Sequence, residues 1–383
     1  MTESGASVLK NLNPLTPLVM VYCREGFEAD AGQELVAKVS EILSLTGIIG
    51  AKRQLQPVTT LNSAFVMLPL ASAEELMGLR KKLRLSSLIF ARQLAFGFGP
   101  LNLGDARDRA APIAAAALDT LFATAGMQYN RMVVTYPDNN DGKELTRFSK
   151  LVHPALTKAL TKGGLITKNG ARGLPIFNVF FYDRAKSALL TWIDPNNSSQ
   201  WIDGVARLKL PPAAPSRSTL KLEEAFHVFM NKDQRDYLLR PGLTAVDLGA
   251  SPGGWTYQLI KRDMFVTAVD NGPMDDALMA TGMVNHKEAD AFHYKPKTPV
   301  DWLICDVVEQ PSRVAKLAAE WIREGHCRYV ILNLKLPMKQ RRQEVLKCLE
   351  VIGAANENWH LAARQLYHDR REVTVFAASR LAP

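Results

Sequence analysis

Residues 241–254 carry the pattern that most narrows the folds open to this chain. Pro241-Gly242 turns into a short apolar run ending at Asp247-Leu248, and Gly249-Ala-Ser-Pro-Gly253-Gly254 then opens into a new apolar segment from Trp255. A strand that turns through several glycines into a helix belongs to an open parallel sheet, whose ligands sit beyond the carboxyl ends of the strands. The first glycine permits a tight turn. The later pair lets a ligand approach the backbone and exposes N–H groups where a helix starts. Apolar runs at 244–248, 266–270, 302–306 and 329–334 read as strands, with helical patterns between most of them. Upstream, Leu222, Phe226, Phe229 and Met230 share one helix face. The last two runs, 361–366 and 372–377, lie close enough in sequence to pair antiparallel. Repeated βα units imply a doubly wound, twisted parallel sheet with helices on both faces.

The first half of the chain lacks this regular alternation. Strand patterns at 18–23, 64–70 and 90–95, with helical spacing at 27–43 and 73–82, suggest an α+β unit of ferredoxin-like order over residues 1–100. Residues 101–208 form a second unit. It contains an Ala-rich helix at 107–125, a strand at 131–136, a polar loop at 137–141, a helix at 144–160, and strands at 177–181 and 188–193. Leu210-Pro-Pro-Ala-Ala-Pro215 places three prolines in six residues, a semi-rigid spacer. A linker is therefore expected at 209–215, with the α/β domain over 216–383. Residues 1 to about 16 carry Ser, Asn and Pro and are expected to be loosely ordered.

The chain of 383 residues has a formal net charge of +9. That excess suits a polyanionic partner, whether RNA, DNA or acidic membrane, and is equally compatible with a soluble enzyme that is merely basic. Lys150, Lys158, Lys162, Lys168 and Arg172 recur within the second unit, as a solvated helix face or as an RNA-facing stripe. Cys23, Cys305, Cys327 and Cys348 form no C-x-x-C pair and have no His cluster beside them, so neither a metal site nor a disulfide framework is expected. No signal-peptide order opens the sequence, and no apolar stretch reaches the ~18 residues of a membrane span. The expectation is a cytoplasmic protein with no membrane contact and no obligate protein partner, acting as a monomer.

The glycine-rich turn is neither G-x-G-x-x-G, since its second glycine is displaced and a proline intrudes, nor a P-loop, since no Gly-Lys-Ser/Thr follows. A purely structural turn stays open, but an acidic partner is present. Asp270 ends the next strand, where a carboxylate accepts the two hydroxyls of a ribose. Asp290 lies where it can receive an adenine amine, or serve as an exposed loop acid. Ser218, just before a helix, is placed to donate to a cofactor carboxylate, or simply to cap the helix. S-adenosyl-L-methionine offers the adenosine these groups could hold and no phosphate for a P-loop.

Four further residues fall near element ends around this turn: Lys221, Asp306, Lys335 and Glu372. A weakly acidic hydroxyl needs a base beside it, and a lysine is a base only when neutral, against a reference pKa of ~10.4. Lys221, a cofactor sulfonium and burial would lower the Lys335 value, while Asp306 and Glu372 would raise it; the sequence leaves the net sign open. Taken singly, each residue reads as well as a salt-bridge partner. Lys339, Arg341 and Arg342 near Lys335, with Arg370 and Arg371 near Glu372, could hold phosphates or form a solvated helix start.

With these motifs in hand, the chain resembles the FtsJ/RrmJ-type ribose 2′-O-methyltransferases, and within them the ribosomal RNA large subunit methyltransferase M family. The resemblance runs through 216–227, 245–259, 269–274, Asn333-Leu-Lys-Leu-Pro-Met-Lys339 and 364–375, and in the first half through Arg24-x-Gly-Phe-Glu28 and 86–93. It implies a ferredoxin-like part and a THUMP RNA-binding domain before a Rossmann-like class I methyltransferase domain. The implied reaction is 2′-O-methylation of a cytidine in the peptidyl transferase region of bacterial 23S rRNA, with S-adenosyl-L-methionine as donor. The resemblance places the base on Lys335 within a set of Lys221, Asp306, Lys335 and Glu372. It places cofactor contacts on Ser218, Ser251, Pro252, Gly253, Gly254, Asp270, Asp290 and Asp306. Ser251 stands where the family has cysteine, a change that leaves backbone contacts available. Two other readings remain at this point: a non-catalytic rRNA-binding protein on the same fold, and a methyltransferase acting on another RNA. A base methyltransferase would call for Asn-Pro-Pro-Tyr or a catalytic cysteine, and Asp306-Val-Val-Glu-Gln310 has neither.

Overall fold

The computed structural model describes residues 16–46, 54–105, 107–125, 127–168 and 170–379. The loosely ordered start expected from the sequence lies, up to residue 15, outside the described residues. The chain divides into two compact units, Met1–Val205 and Ala206–Pro383.

In the first unit, β1 (Pro17–Tyr22), α1 (Glu28–Thr46), β2 (Val58–Thr59), β3 (Phe65–Pro69), α2 (Ala73–Lys82) and β4 (Gln93–Asn102) give the βαββαβ order and the β2-β3-β1-β4 neighbours of a ferredoxin-like sheet. The same sheet continues into β7 (Ser187–Ile193), β6 (Ile176–Tyr182) and β5 (Met132–Thr135), with α3 (Ala110–Ala125) and α4 (Asn140–Lys162) in the intervening chain. Two local expectations are corrected. The strand placed at 90–95 begins at Gln93 and runs to Asn102. The expected strand stops short of the Phe-Gly-Phe-Gly stretch, yet Gly97 pairs with Thr191 so closely that a Cβ would overlap the Leu190 carbonyl oxygen. The helix placed at 144–160 starts at Asn140, because the Asn139 side chain accepts the Gly142 N–H (2.8 Å) and caps it inside the supposed loop.

A buried polar cluster ties β1 to β5, β6 and β7. Asn178 donates to the Tyr22 hydroxyl (2.9 Å) and the Thr191 hydroxyl (2.8 Å). Thr135 links Tyr22 (2.8 Å) to the Asn178 side-chain oxygen Oδ1, to which it donates (2.7 Å). Burial pushes the Tyr22 hydroxyl pKa upward, so it stays a neutral hydrogen-bonding group.

The second unit comprises α5 (Thr219–Phe229), α6 (Lys232–Leu238), β8 (Thr244–Leu248), α7 (Gly254–Ile260), β9 (Phe265–Val269), α8 (Asp276–Met279), β10 (Val284–Lys287), β11 (Trp302–Cys305), α9 (Pro311–Arg323), β12 (Tyr329–Lys335), α10 (Arg341–Gly353), β13 (His360–Arg364) and β14 (Glu372–Ala378). The sheet order is β10-β9-β8-β11-β12-β14-β13. The first five strands are parallel. β14 inserts antiparallel between β12 and β13. The order reverses between β8 and β11, the place where a doubly wound sheet opens a ligand crevice. Leu222, Phe226 and Met230 are buried as their spacing predicts, and Trp302, Ile304 and Phe376 complete that core. The Trp302 indole N–H donates to the Leu238 carbonyl (2.8 Å), so the large ring is buried without an unsatisfied donor.

Candidate active site

The glycine turn leaves β8 at its carboxyl end. Gly249 (φ +77) and Gly253 (φ +115) occupy backbone regions that strain other residues. Gly254 lacks a side chain for a different reason. A Cβ there would overlap the hydroxyls of Ser218 and Ser216, which lie 2.6 Å from each other. Ser218 makes no side-chain cap on α5, so the capping reading of this residue is set aside. Asp270, just past β9, accepts the Ser251 N–H (3.1 Å) on one oxygen and the Gly272 N–H (2.8 Å) on the other. Each oxygen retains a lone pair for a ligand. Ser251 itself donates to the Pro273 carbonyl (2.8 Å).

Asp290 behaves differently. It follows β10 at the sheet edge and accepts the Phe292 N–H (2.8 Å) and bonds the His293 ring (2.9 Å). The backbone bond, ahead of the imidazole, holds its carboxyl below the usual range.

The other four residues converge. β12 and β14 pair so that Lys335 lies opposite Glu372. Asp306 follows the adjacent β11, and Lys221 stands on the first turn of α5. Lys335 Nζ donates to Asp306 Oδ1 and, at 3.0 Å, to Glu372 Oε1. Lys221 Nζ lies 2.6 Å from Glu372 Oε2 and 3.4 Å from Asp306 Oδ2. Two ammonium groups and two carboxylates thus alternate around a ring, with side chains only 14–20 % exposed. Burial draws the Lys335 pKa down, but Asp306 and Glu372 together raise it by more, so the net shift is upward and the resting lysine is protonated. Among this chain's own groups, the sign the sequence left open is therefore upward. Burial alone would raise the Glu372 carboxyl; Lys335 and Lys221 outweigh it and hold the group below its ordinary value.

Sequence reasoning missed several polar residues behind this ring. Glu224, buried on α5, accepts the N–H groups of Tyr367 (2.7 Å) and His368 (2.8 Å) and pins the loop before β14. Asn333 donates to Asp306 Oδ1 (3.1 Å). Asp247 is buried and accepts the Thr256 hydroxyl (2.6 Å) on one oxygen; its other oxygen has no hydrogen-bond partner among the described residues. Burial foremost, with the negative charges of Asp306 and Asp270, pushes Asp247 up to about 7 against the Thr256 hydrogen bond. Glu224 and Asp247 lay inside stretches already singled out, and only their depth in the fold distinguishes them. A donor-hungry acid, a glycine cradle and a carboxylate with spare lone pairs fit a ligand that brings hydroxyls and N–H groups.

The comparisons with known proteins bear on the whole chain. Residues 214–364 match the family model for FtsJ-like methyltransferase, 17–95 that for the RlmM ferredoxin-like domain, and 108–190 that for the N-terminal region of ribosomal RNA large subunit methyltransferase M. Ribosomal RNA large subunit methyltransferase M of Methylococcus capsulatus is 43% identical over 364 residues, covering 94% of this chain and 97% of that protein. Its counterparts in Thauera aminoaromatica (93% of this chain, 94% of that protein) and Xanthomonas campestris pv. campestris (94% and 98%) are each 42% identical. The chain belongs to the ribosomal RNA large subunit methyltransferase M family. As a member it is an rRNA methyltransferase with a Rossmann-like catalytic fold, and S-adenosylmethionine is its methyl donor.

Among the described residues, no helix is long and apolar enough to cross a membrane. The five cations of the second expected unit are all exposed, as both readings of them required.

Proposed function

We propose that this enzyme methylates the ribose 2′-oxygen of a cytidine in 23S rRNA, with Lys335 as the general base. The observation that carries the reading is the closed ring of Lys221, Asp306, Lys335 and Glu372 at the carboxyl edge of the sheet, one strand from the glycine turn. Ser218, Ser251 to Gly254, Asp270, Asp290 and Asp306 would hold the donor, which supplies a methyl group on a sulfonium. Lys335 Nζ, once it has released its own proton to solvent, accepts the 2′-hydroxyl proton as the oxygen attacks. The carboxylates orient both amines, and Lys221 adds a positive charge that favours the neutral form of its neighbour. With Lys335 neutral, the ring carries a net negative charge, which complements the cationic donor. Leu336 N–H donates to the Arg371 carbonyl (2.8 Å), fixing the loop after Lys335 to the one before Glu372. Lys339, Arg370 and Arg371 are exposed on those loops and suit the phosphates flanking the reacting nucleotide. The domain division at 1–100, 101–208, 209–215 and 216–383, with the second part as a THUMP-like RNA-binding element, belongs to the same reading, as does action as a cytoplasmic monomer.

The test is the position of the transferred methyl. 23S rRNA treated with enzyme and labelled donor should carry label on one cytidine whose 3′ phosphodiester resists alkali, because a 2′-O-methyl removes the internal nucleophile. Label on a base, with the linkage still alkali-labile, would overturn the proposal.

A further inference from the structure

Behind Asp306 runs a chain of buried polar groups that the reaction as described does not use. Asn333, Thr374 and Asp369 are each 0 % exposed. Asn333 and Thr374 face each other across β12 and β14, and Asp369 lies in the loop that enters β14. Asn333 Nδ2 donates to Asp306 Oδ1 (3.1 Å), the oxygen that also receives Lys335. This fixes the amide, since turning it over would set its oxygen against a carboxylate. Asn333 Oδ1 therefore faces Thr374 Oγ1 at 2.7 Å, and Thr374 Oγ1 lies 3.0 Å from Asp369 Oδ2. An amide oxygen only accepts, and a hydroxyl has one proton to give. If Thr374 gives its proton to Asn333, then Asp369 must be the donor to Thr374. A carboxylate cannot donate; a carboxylic acid can, and its oxygen still accepts the Leu366 N–H (3.0 Å).

We propose that Asp369 is a positioning residue for methyl transfer: as the neutral acid it donates to Thr374, which donates to Asn333, which holds Asp306 against Lys335. The inference rests on the reading of Lys335 and Asp306 given above. The electrostatics agree with it. Burial foremost, then the charges of Glu372 and Glu224, push Asp369 up to about 7, while the Leu366 N–H and Lys221 pull the other way. Glu224 is itself engaged by the His368 ring (2.7 Å). Ionisation of Asp369 turns the Thr374 hydroxyl toward the new carboxylate and sets its lone pairs against Asn333 Oδ1. Asp306 then loses a fixed partner.

The test compares Thr374→Val with Thr374→Ser in methyl transfer to 23S rRNA, beside wild type and Lys335→Ala. Valine keeps the branched shape and removes the relay, whereas serine keeps the relay and removes a methyl. We expect Thr374→Val to lower kcat about tenfold, roughly one hydrogen bond's share of the barrier, with KM for the donor little changed, and Thr374→Ser to recover most of that loss. The wild-type rate should rise more slowly with pH above about 7 as Asp369 ionises, and Asp369→Asn should lack that bend. Equal rates for Thr374→Val and wild type, a serine variant no better than the valine variant, or a bend retained in Asp369→Asn would each overturn the inference while an inactive Lys335→Ala left the reading of the site standing. Wild-type activity in Lys335→Ala would overturn both.

Discussion

Lys335 begins each cycle with a proton it must lose, because its two carboxylate neighbours outweigh its burial. The rate should therefore climb with pH along a limb set by this amine in the donor complex. Glu372→Gln removes one of the charges that raise the value, so the limb should move to lower pH in single-turnover methyl transfer, while the plateau falls as the amines lose an anchor. An unmoved limb would mean that another group controls it. Gly254 makes a second demand on a single position. Gly254→Ala would drive a methyl into the Ser218 and Ser216 hydroxyls, and donor affinity by calorimetry should fall about tenfold or more, on the order of 1.4 kcal/mol. Binding at wild-type strength would show that the two hydroxyls do not shape the cofactor pocket. The charged ring was legible in the sequence because each member falls at the end of an element, where strand periodicity makes a polar residue conspicuous. Asn333 was not, since a polar residue inside an apolar strand looks the same in sequence whether or not the fold supplies its partner, and Asp369 and Glu224 stand among other charged residues that give no sign of which one is buried.

Strands and helices of the second unit followed their apolar periods closely. Thr244–Leu248 appears as predicted, and the expected antiparallel pair at the end of the chain forms. Periodicity did not reveal that β14 slips between β12 and β13, although that insertion is what brings Glu372 opposite Lys335. Strand order depends on tertiary packing, to which local pattern is blind. Gly97 and Gly99 hid the second half of β4 for the opposite reason: the close approach of β7 needs residues that lower strand propensity. In the first unit, β1 is tied to β5, β6 and β7 through Tyr22, Asn178, Thr135 and Thr191. Tyr22→Phe leaves buried polar partners unmatched and should cost about 1–3 kcal/mol, read as a lower urea midpoint for the transition of that unit. An unchanged midpoint would show that the cluster contributes no stability.

At the scale of the whole chain, two buried acids each pull stability down as pH rises. Asp247 and Asp369 both stand near 7 in the fold, against about 3.9 when unfolded. Between those values the folded state holds protons the unfolded state has released, so the contribution of these two acids to stability falls as pH rises through that window. Asp247→Asn cannot ionise, so its melting temperature should decline less than that of wild type from about pH 4 to 7; an identical decline would mean that Asp247 is already ionised in the fold. The family membership covers nearly the full length, so the same assay with intact enzyme and 23S rRNA serves the account best. In single-turnover methyl transfer at saturating donor, Lys335→Ala should be slower than wild type by at least about 100-fold, the usual share of a general base, with donor affinity preserved. Transfer by Lys335→Ala at the wild-type rate would contradict the account.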